Sequence, residues 1–291
     1  MALRITIDIF SGRPNPVIEI AGKQAREVLE RIKPVKPLRR RAMPAPEFRL
    51  GYRGLIIEQT GATSRALPRV VRVAAGAIYG PGLAHTIADI EFEEFFAGHN
   101  GPGARIRAVR DFPRILQREI RLLRQAAGIF KPPNFPRQIR PRCQCAPLYE
   151  PAWWNDGGQK QWNNNCYNYA TDQRTDTFAQ PGQANGAMYT ALTCASVRPA
   201  AVADALIHSP KANNRCPKEG HLVALVIWPG VDFHWYRKGR NGRWSHKPGS
   251  TAVTNLDNSG NFIADPRTAD RGGYTSFCTF MTVMHGHIKI S

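Results

Sequence analysis

One cysteine of the sequence has a setting suited to nucleophilic chemistry. Cys166 follows three asparagines in WNNNCYNYATDQ. Asparagine is a common helix cap, so the segment predicts a helix that begins at the cysteine. The positive end of a helix stabilises a thiolate and lowers the thiol pKa below its ordinary value of about 8.5. We predict that Cys166 is a nucleophile; the alternative is a small, buried, unreactive thiol.

A base for this thiol is predicted in residues 219–253. That stretch contains the segments HLVALVIWP, DFHWYRKG and RWSHKPG, which are typical of three antiparallel strands, with RNG as a hairpin turn between the last two. His234 and His246, twelve residues apart across the hairpin, are expected on neighbouring strands. We predict that His234 accepts the Cys166 proton and that His246 orients the His234 ring.

The order of these motifs resembles the NlpC-type and CHAP-type papain-fold cysteine hydrolases over about residues 155–255. The matching features are a cysteine at a helix start, then GHLV, the histidine of DFHWY, and GRWSH. The resemblance implies that Cys166 attacks an amide carbonyl, that His234 is the base and that His246 orients it. The family commonly has Asp-Cys-Ser at the nucleophile, where this chain has Asn165-Cys166-Tyr167. Three further residues compete with His246 for the third role: Ser245, Asp257 and Asp265.

Residues that stabilise an oxyanion or contact substrate are harder to assign. Gln161 or Gln159 and Asn165 are candidate donors, as is the peptide N–H of Cys166, and Trp162 is a candidate wall of a substrate groove. Four other cysteines and a histidine do not match a standard zinc spacing: Cys143, Cys145, Cys194, Cys216 and His221. We expect no metal and no organic cofactor.

Charge and composition divide the chain into two parts. Residues 1–142 hold 26 Lys and Arg against 12 Asp and Glu, a net charge of +14, whereas residues 143–291 hold 14 against 10, a net of +4. All six tryptophans and all six cysteines lie in the second part. We predict a basic domain over 1–130, a Pro-rich linker over 131–150 and a papain-like domain over 151–291.

The predicted fold class is α+β: a C-terminal papain-like domain, in which the helix carrying Cys166 packs on an antiparallel sheet, preceded by a smaller basic α/β domain. In the first part, apolar periodicity predicts strands over 3–9, 17–22, 54–60, 69–80 and 87–99. It predicts helices over 23–33 and 111–129.

We predict a thiol-dependent amide hydrolase: a peptidase, a peptidoglycan amidase or endopeptidase, or a deamidase. One alternative is a transglutaminase-like acyl transferase. Another is a non-catalytic protein that binds a polyanion or nucleic acid, although no nucleic-acid motif accompanies the basic charge. Expected partners are a peptide or peptidoglycan-like substrate and an acidic protein at the basic half. No membrane span and no Sec signal are evident, so we expect a cytoplasmic protein or one exported without that signal.

Overall fold

The computed structural model describes residues 1–38, 48–61, 67–126 and 143–291. These residues divide into two compact units. The first contains the described residues of 1–9, 15–46 and 52–130, and the second those of 10–14, 47–51 and 131–291. Most of the Pro-rich segment predicted as a linker lies outside the described residues. Within the described ranges no helix is long and apolar enough to cross a bilayer.

The first unit is built on a seven-stranded sheet. Its strands are β1 (Ala2–Asp8), β2 (Val17–Ala21), β3 (Pro34–Pro37), β4 (Gly54–Thr60), β5 (Val70–Ala74), β6 (Ala77–Gly80) and β7 (Leu83–Ile87), in the order β2-β1-β4-β5-β6-β7-β3. The helices are α1 (Gly22–Arg31), α2 (Phe92–Ala97) and α3 (Phe112–Ala126). Alternate residues of β1 are fully buried, as are the apolar faces of α1 and α3. The predicted strands 3–9, 17–22 and 54–60 and both predicted helices are confirmed.

Two predictions for the first unit are wrong. Residues 69–80 form two strands rather than one, because Ala75 and Gly76 both have positive φ and turn the chain between β5 and β6. Residues 87–99 contain α2 instead of a strand, since Phe92 and Phe96 are four residues apart and bury one helical face. Every strand pair of this unit is antiparallel, so α+β replaces the predicted α/β class.

A buried ion cluster lies in the first unit. The Asp8 carboxylate contacts Arg53 Nη2 at 2.6 Å and Arg72 Nη1 at 2.7 Å, and both Asp8 and Arg53 are fully buried. Burial by itself raises the pKa of Asp8, but the two guanidinium groups outweigh it and hold this pKa at about 2. The pKa is lower in the folded than in the unfolded chain. The cluster therefore stabilises the unit above pH 3.8, and this stability is lost as the pH falls towards 2.

We expect Asp8→Ala to lower the free energy of unfolding of the first unit by about 3 kcal/mol, because it removes the buried carboxylate that both Arg53 and Arg72 contact. The acid-dependent part, corresponding to the pKa shift, is about 2 kcal/mol. The measurement is hydrogen exchange of β1 and β4 peptides between pH 7 and pH 2.5. The control is Glu27→Ala, which removes the exposed Glu27–Arg31 pair and should cost only a few tenths of a kcal/mol, about 0.3. Equal losses in the two variants would refute the assigned role of the cluster.

The second unit places helices against a five-stranded antiparallel sheet. Its helices are α4 (Pro151–Trp154), α5 (Gln159–Asn163), α6 (Cys166–Thr171) and α7 (Cys194–Ala203). Its strands are β8 (Ile207–His208), β9 (His221–Trp228), β10 (Asp232–Lys238), β11 (Trp244–His246) and β12 (Ser276–Val283), in the order β11-β10-β9-β12-β8. Side chains of α6 and α7 share one apolar core with β9, β10 and β12. The predicted helix at Cys166 and the three predicted strands are confirmed.

Two disulfides link distant parts of the second unit. Cys143 pairs with Cys216 and Cys194 pairs with Cys278. Only Cys145 and Cys166 are free, Cys145 exposed and Cys166 buried. Three of the cysteines weighed as zinc ligands are therefore used in disulfides. Stable disulfides are typical of proteins that fold in an oxidising compartment.

Candidate active site

Cys166 is the first residue of α6, and the asparagine before it caps the helix. The Asn165 side-chain oxygen accepts the N–H groups of Tyr167 at 2.9 Å and Asn168 at 3.1 Å, while the Asn168 side chain accepts the N–H of Asn165. This reciprocal capping box explains why the helix begins at the cysteine. The prediction that asparagine caps this helix is confirmed.

The predicted activation of Cys166 by the helix is wrong for this state of the protein. Burial raises the pKa of the Cys166 thiol above its ordinary value, and the nearby Asp232 carboxylate raises it further. Hydrogen bonds from the Trp235 backbone and the Ser11 side chain oppose this shift but do not overcome it. The helix has only six residues. A short helix does not offset the loss of water around a fully buried thiol.

The two predicted histidines are in direct contact. His246 Nδ1 lies 2.9 Å from His234 Nε2, and His246 Nε2 lies 2.9 Å from the Leu256 carbonyl oxygen. A carbonyl only accepts, so His246 carries its proton on Nε2 when its ring is neutral. His234 then donates its Nε2–H to His246, which leaves His234 Nδ1 as an acceptor. The pair therefore holds His234 in the tautomer that a general base needs.

Ser11 joins this pair to the cysteine. Its hydroxyl lies 2.5 Å from His234 Nδ1 and also hydrogen-bonds to the Cys166 thiol. All four side chains of the resulting Cys166–Ser11–His234–His246 chain are fully buried. Ser11 is the first residue of the segment SGRPNP and is not among the predicted site residues. It lies 223 residues from His234 along the chain, and no local signal in the sequence could have placed it here.

The segment Phe10–Pro14, which carries Ser11, is fixed by one buried carboxylate. Asp232 accepts three successive backbone N–H groups, from Ser11 at 2.5 Å, Gly12 at 3.2 Å and Arg13 at 3.1 Å. The Tyr274 hydroxyl donates to the same carboxylate at 2.5 Å. This carboxylate, absent from the predicted site, therefore determines where Ser11 lies.

The remaining predicted residues have other partners. The Gln161 side-chain oxygen accepts the Gly157 N–H, and the exposed Trp162 indole donates to the Gly157 carbonyl. The three residues that compete with His246 also bond elsewhere: Ser245 with Tyr169, Asp257 with backbone N–H groups of its own loop, and Asp265 with Arg267 and Asn214. Asn165 does reach the Ser11 segment, because its side-chain N–H donates to the Gly12 carbonyl at 2.8 Å.

We expect Asn165→Ala to lower the free energy of unfolding of the second unit by about 2 kcal/mol, from loss of the cap and of its bonds to Gly12 and Ala179. Tryptophan fluorescence during urea unfolding measures this, because all six tryptophans belong to the second unit. The matched control is Asn163→Ala at an exposed position two residues earlier, expected to change little. A comparable loss in both variants would contradict the capping assignment.

Comparison with known proteins found a shell protein among the relatives. The chain is 46% identical over 142 residues to insoluble matrix shell protein 1 of Ruditapes philippinarum, and the match covers 48% of this chain and 91% of the relative. No family model matches the chain. No solved structure matches it either, so the papain-fold resemblance stays a prediction.

Proposed function

The chain belongs to the family of insoluble matrix shell protein 1, and from that premise we propose that it is an exported matrix protein whose second unit hydrolyses amide bonds with a thiol nucleophile. The observation that carries the catalytic part is the hydrogen-bonded chain from Cys166 through Ser11 to His234 and His246. A thiol, a base in the accepting tautomer and a second ring that fixes that tautomer are the parts that such chemistry requires. The two disulfides support export.

In the proposed reaction the substrate displaces Ser11 from between the thiol and His234. His234 Nδ1 takes the Cys166 proton, and the sulfur attacks the amide carbonyl to form a C–S bond. The C–N bond then breaks, and the proton on His234 goes to the departing amine. Water hydrolyses the thioester and regenerates the thiol; an amine in place of water would give acyl transfer instead. The proposed chemistry uses only these side chains and water.

Because Ser11 covers Cys166, the assay uses a chain in which the segment is loosened. We expect the Cys145→Ser/Gly12→Ala chain, in which the new Cβ clashes with the Phe233 ring and displaces the segment, to hydrolyse members of a mixed library of fluorogenic peptide amides. The further change Cys166→Ala should abolish this turnover, since no other free thiol remains. Undiminished turnover without Cys166 would refute the proposal. Addition of an amine such as cadaverine, followed by mass analysis, separates hydrolysis from acyl transfer.

The name of the relative favours a second candidate, a purely structural component of an insoluble extracellular matrix. The buried hydrogen bonds that link Cys166, Ser11, His234 and His246 would then only stabilise the second unit. This candidate is supported if the loosened chain exposes Cys166 to alkylating reagents and still hydrolyses no peptide amide.

A further inference from the structure

We infer that the second unit has a groove for a peptide that bends at a central glycine, with a hydroxyl side chain before the glycine and a basic side chain after it, and that Phe10–Pro14 is its resident occupant. The groove, called the peptide groove below, is lined by Asn165, Gln180, Asp232 and Phe233. If the second unit is the proposed hydrolase, the peptide that this groove binds is its substrate. That identification rests on the proposed function, whereas the groove itself does not.

The peptide groove binds the backbone of its occupant. One Asp232 carboxylate accepts three consecutive N–H groups, so the occupant is held by its main chain at three adjacent residues. Consecutive N–H groups that converge on one carboxylate form an anion-binding concavity, and any peptide able to adopt this conformation offers the same donors. This part of the recognition is independent of sequence.

The carbonyl of the central residue is held by two amide groups. Asn165 Nδ2 and Gln180 Nε2 each donate to the Gly12 oxygen at 2.8 Å. The Tyr189 hydroxyl donates to Gln180 Oε1 at 2.8 Å, which fixes the orientation of that amide. Two oriented N–H donors on one carbonyl oxygen resemble the arrangement that stabilises an oxyanion. Asn165 directly precedes Cys166 in the chain, so one of the two donors belongs to the residue next to the proposed nucleophile.

Phe233 selects glycine at the centre. A Cβ built on Gly12 would lie 2.4 Å from Cε2 of the Phe233 ring, closer than any real Cβ contact. Phe233 is itself fully buried in the core of the second unit, so its ring has little freedom to move. Any side chain at this position would therefore prevent the peptide from seating.

The residues before and after the central glycine also make specific contacts. Ser11 before the glycine offers a hydroxyl to His234 Nδ1 at 2.5 Å. Arg13 after it donates from Nη1 to the Val231 carbonyl at 2.8 Å, and its guanidinium group lies over the Phe10 ring. A hydroxyl residue, a glycine and a cation in succession form the recognised pattern.

The test measures alkylation of Cys166 by iodoacetamide in a Cys145→Ser background, where it is the only free thiol. We expect Gly12→Ala to unseat the resident segment and to speed alkylation at least about tenfold. The acetylated, amidated peptide FSGRP, added at about ten times its dissociation constant, should then slow alkylation by about tenfold. The peptide FSARP should give no protection. The matched control is Gly158→Ala, where a Cβ has only ordinary contacts and the thiol should stay protected.

A compensating substitution at Phe233 distinguishes unseating of the segment from misfolding of the second unit. Phe233→Leu in the Gly12→Ala chain makes room for the new Cβ and should restore protection of Cys166. Equal protection by FSGRP and FSARP, or rapid alkylation in the Gly158→Ala control, would overturn the inference. Protection by FSGRP without hydrolysis of any peptide amide would leave the peptide groove standing and refute the hydrolase. Hydrolysis of library amides without protection by FSGRP would support the hydrolase and refute the peptide groove.

Discussion

Replacing Asp232 with alanine is expected to lower the free energy of unfolding of the second unit by about 4 kcal/mol and to make Cys166 accessible. The change removes the carboxylate to which three backbone N–H groups and the Tyr274 hydroxyl donate. Each buried donor that loses its partner costs about 1–3 kcal/mol, and neighbouring losses do not add fully. Tryptophan fluorescence in urea measures stability, and iodoacetamide labelling in the Cys145→Ser background measures access to the thiol.

The matched control for Asp232 is Asp204, another buried carboxylate of the second unit. It accepts from the Tyr167 hydroxyl, the Gly182 N–H and the Asn185 amide, and contacts no residue of Phe10–Pro14 through these bonds. Asp204→Ala should therefore destabilise the unit without speeding alkylation of Cys166. If both variants open the thiol equally, the specific role given to Asp232 is wrong.

His234→Ala is expected to reduce turnover of the loosened Cys145→Ser/Gly12→Ala chain by roughly 10²–10⁴-fold, the usual contribution of a positioned general base. His246→Ala should reduce turnover less and should also shift the pH profile, because His246 acts by fixing the His234 tautomer. Rates of peptide-amide hydrolysis between pH 5 and 9 measure both effects.

His208→Ala is the control for the histidines, because His208 lies on β8, at the opposite edge of the sheet from β11, and its ring hydrogen-bonds to Thr279. Its rate and pH profile should match those of the parent chain. A fall in rate that is equal for His208→Ala and His234→Ala would show that the effect is general destabilisation.

The local sequence pattern was sufficient to predict the two strands that carry His234 and His246. The alternation in DFHWYRKG and the hairpin turn after it predict β10 and β11, and their observed register pairs Tyr236 with His246. Asparagine capping likewise predicted the start of α6 at Cys166. These features depend on residues close together in sequence, where periodicity and turn chemistry determine structure.

The features that could not be predicted from the sequence depend on packing between residues far apart in the chain. Ser11 and Asp232 are 221 residues apart, and nothing in SGRPNP indicates that its N–H groups meet a buried carboxylate. The disulfide partners are separated by 73 and 84 residues, and pairing cannot be read from such spacing. The burial that raises the pKa of Cys166 likewise depends on the packing of the whole second unit.

The most direct test of the account is the pH dependence of Cys166 alkylation in the Cys145→Ser/Gly12→Ala chain, with and without His234. A thiol paired with a histidine base forms thiolate well below the ordinary thiol pKa of about 8.5. We therefore expect alkylation of the loosened chain near pH 6, with the midpoint moving to pH 8.5 or above in His234→Ala. The same midpoint in both chains would contradict the claim that His234 activates Cys166.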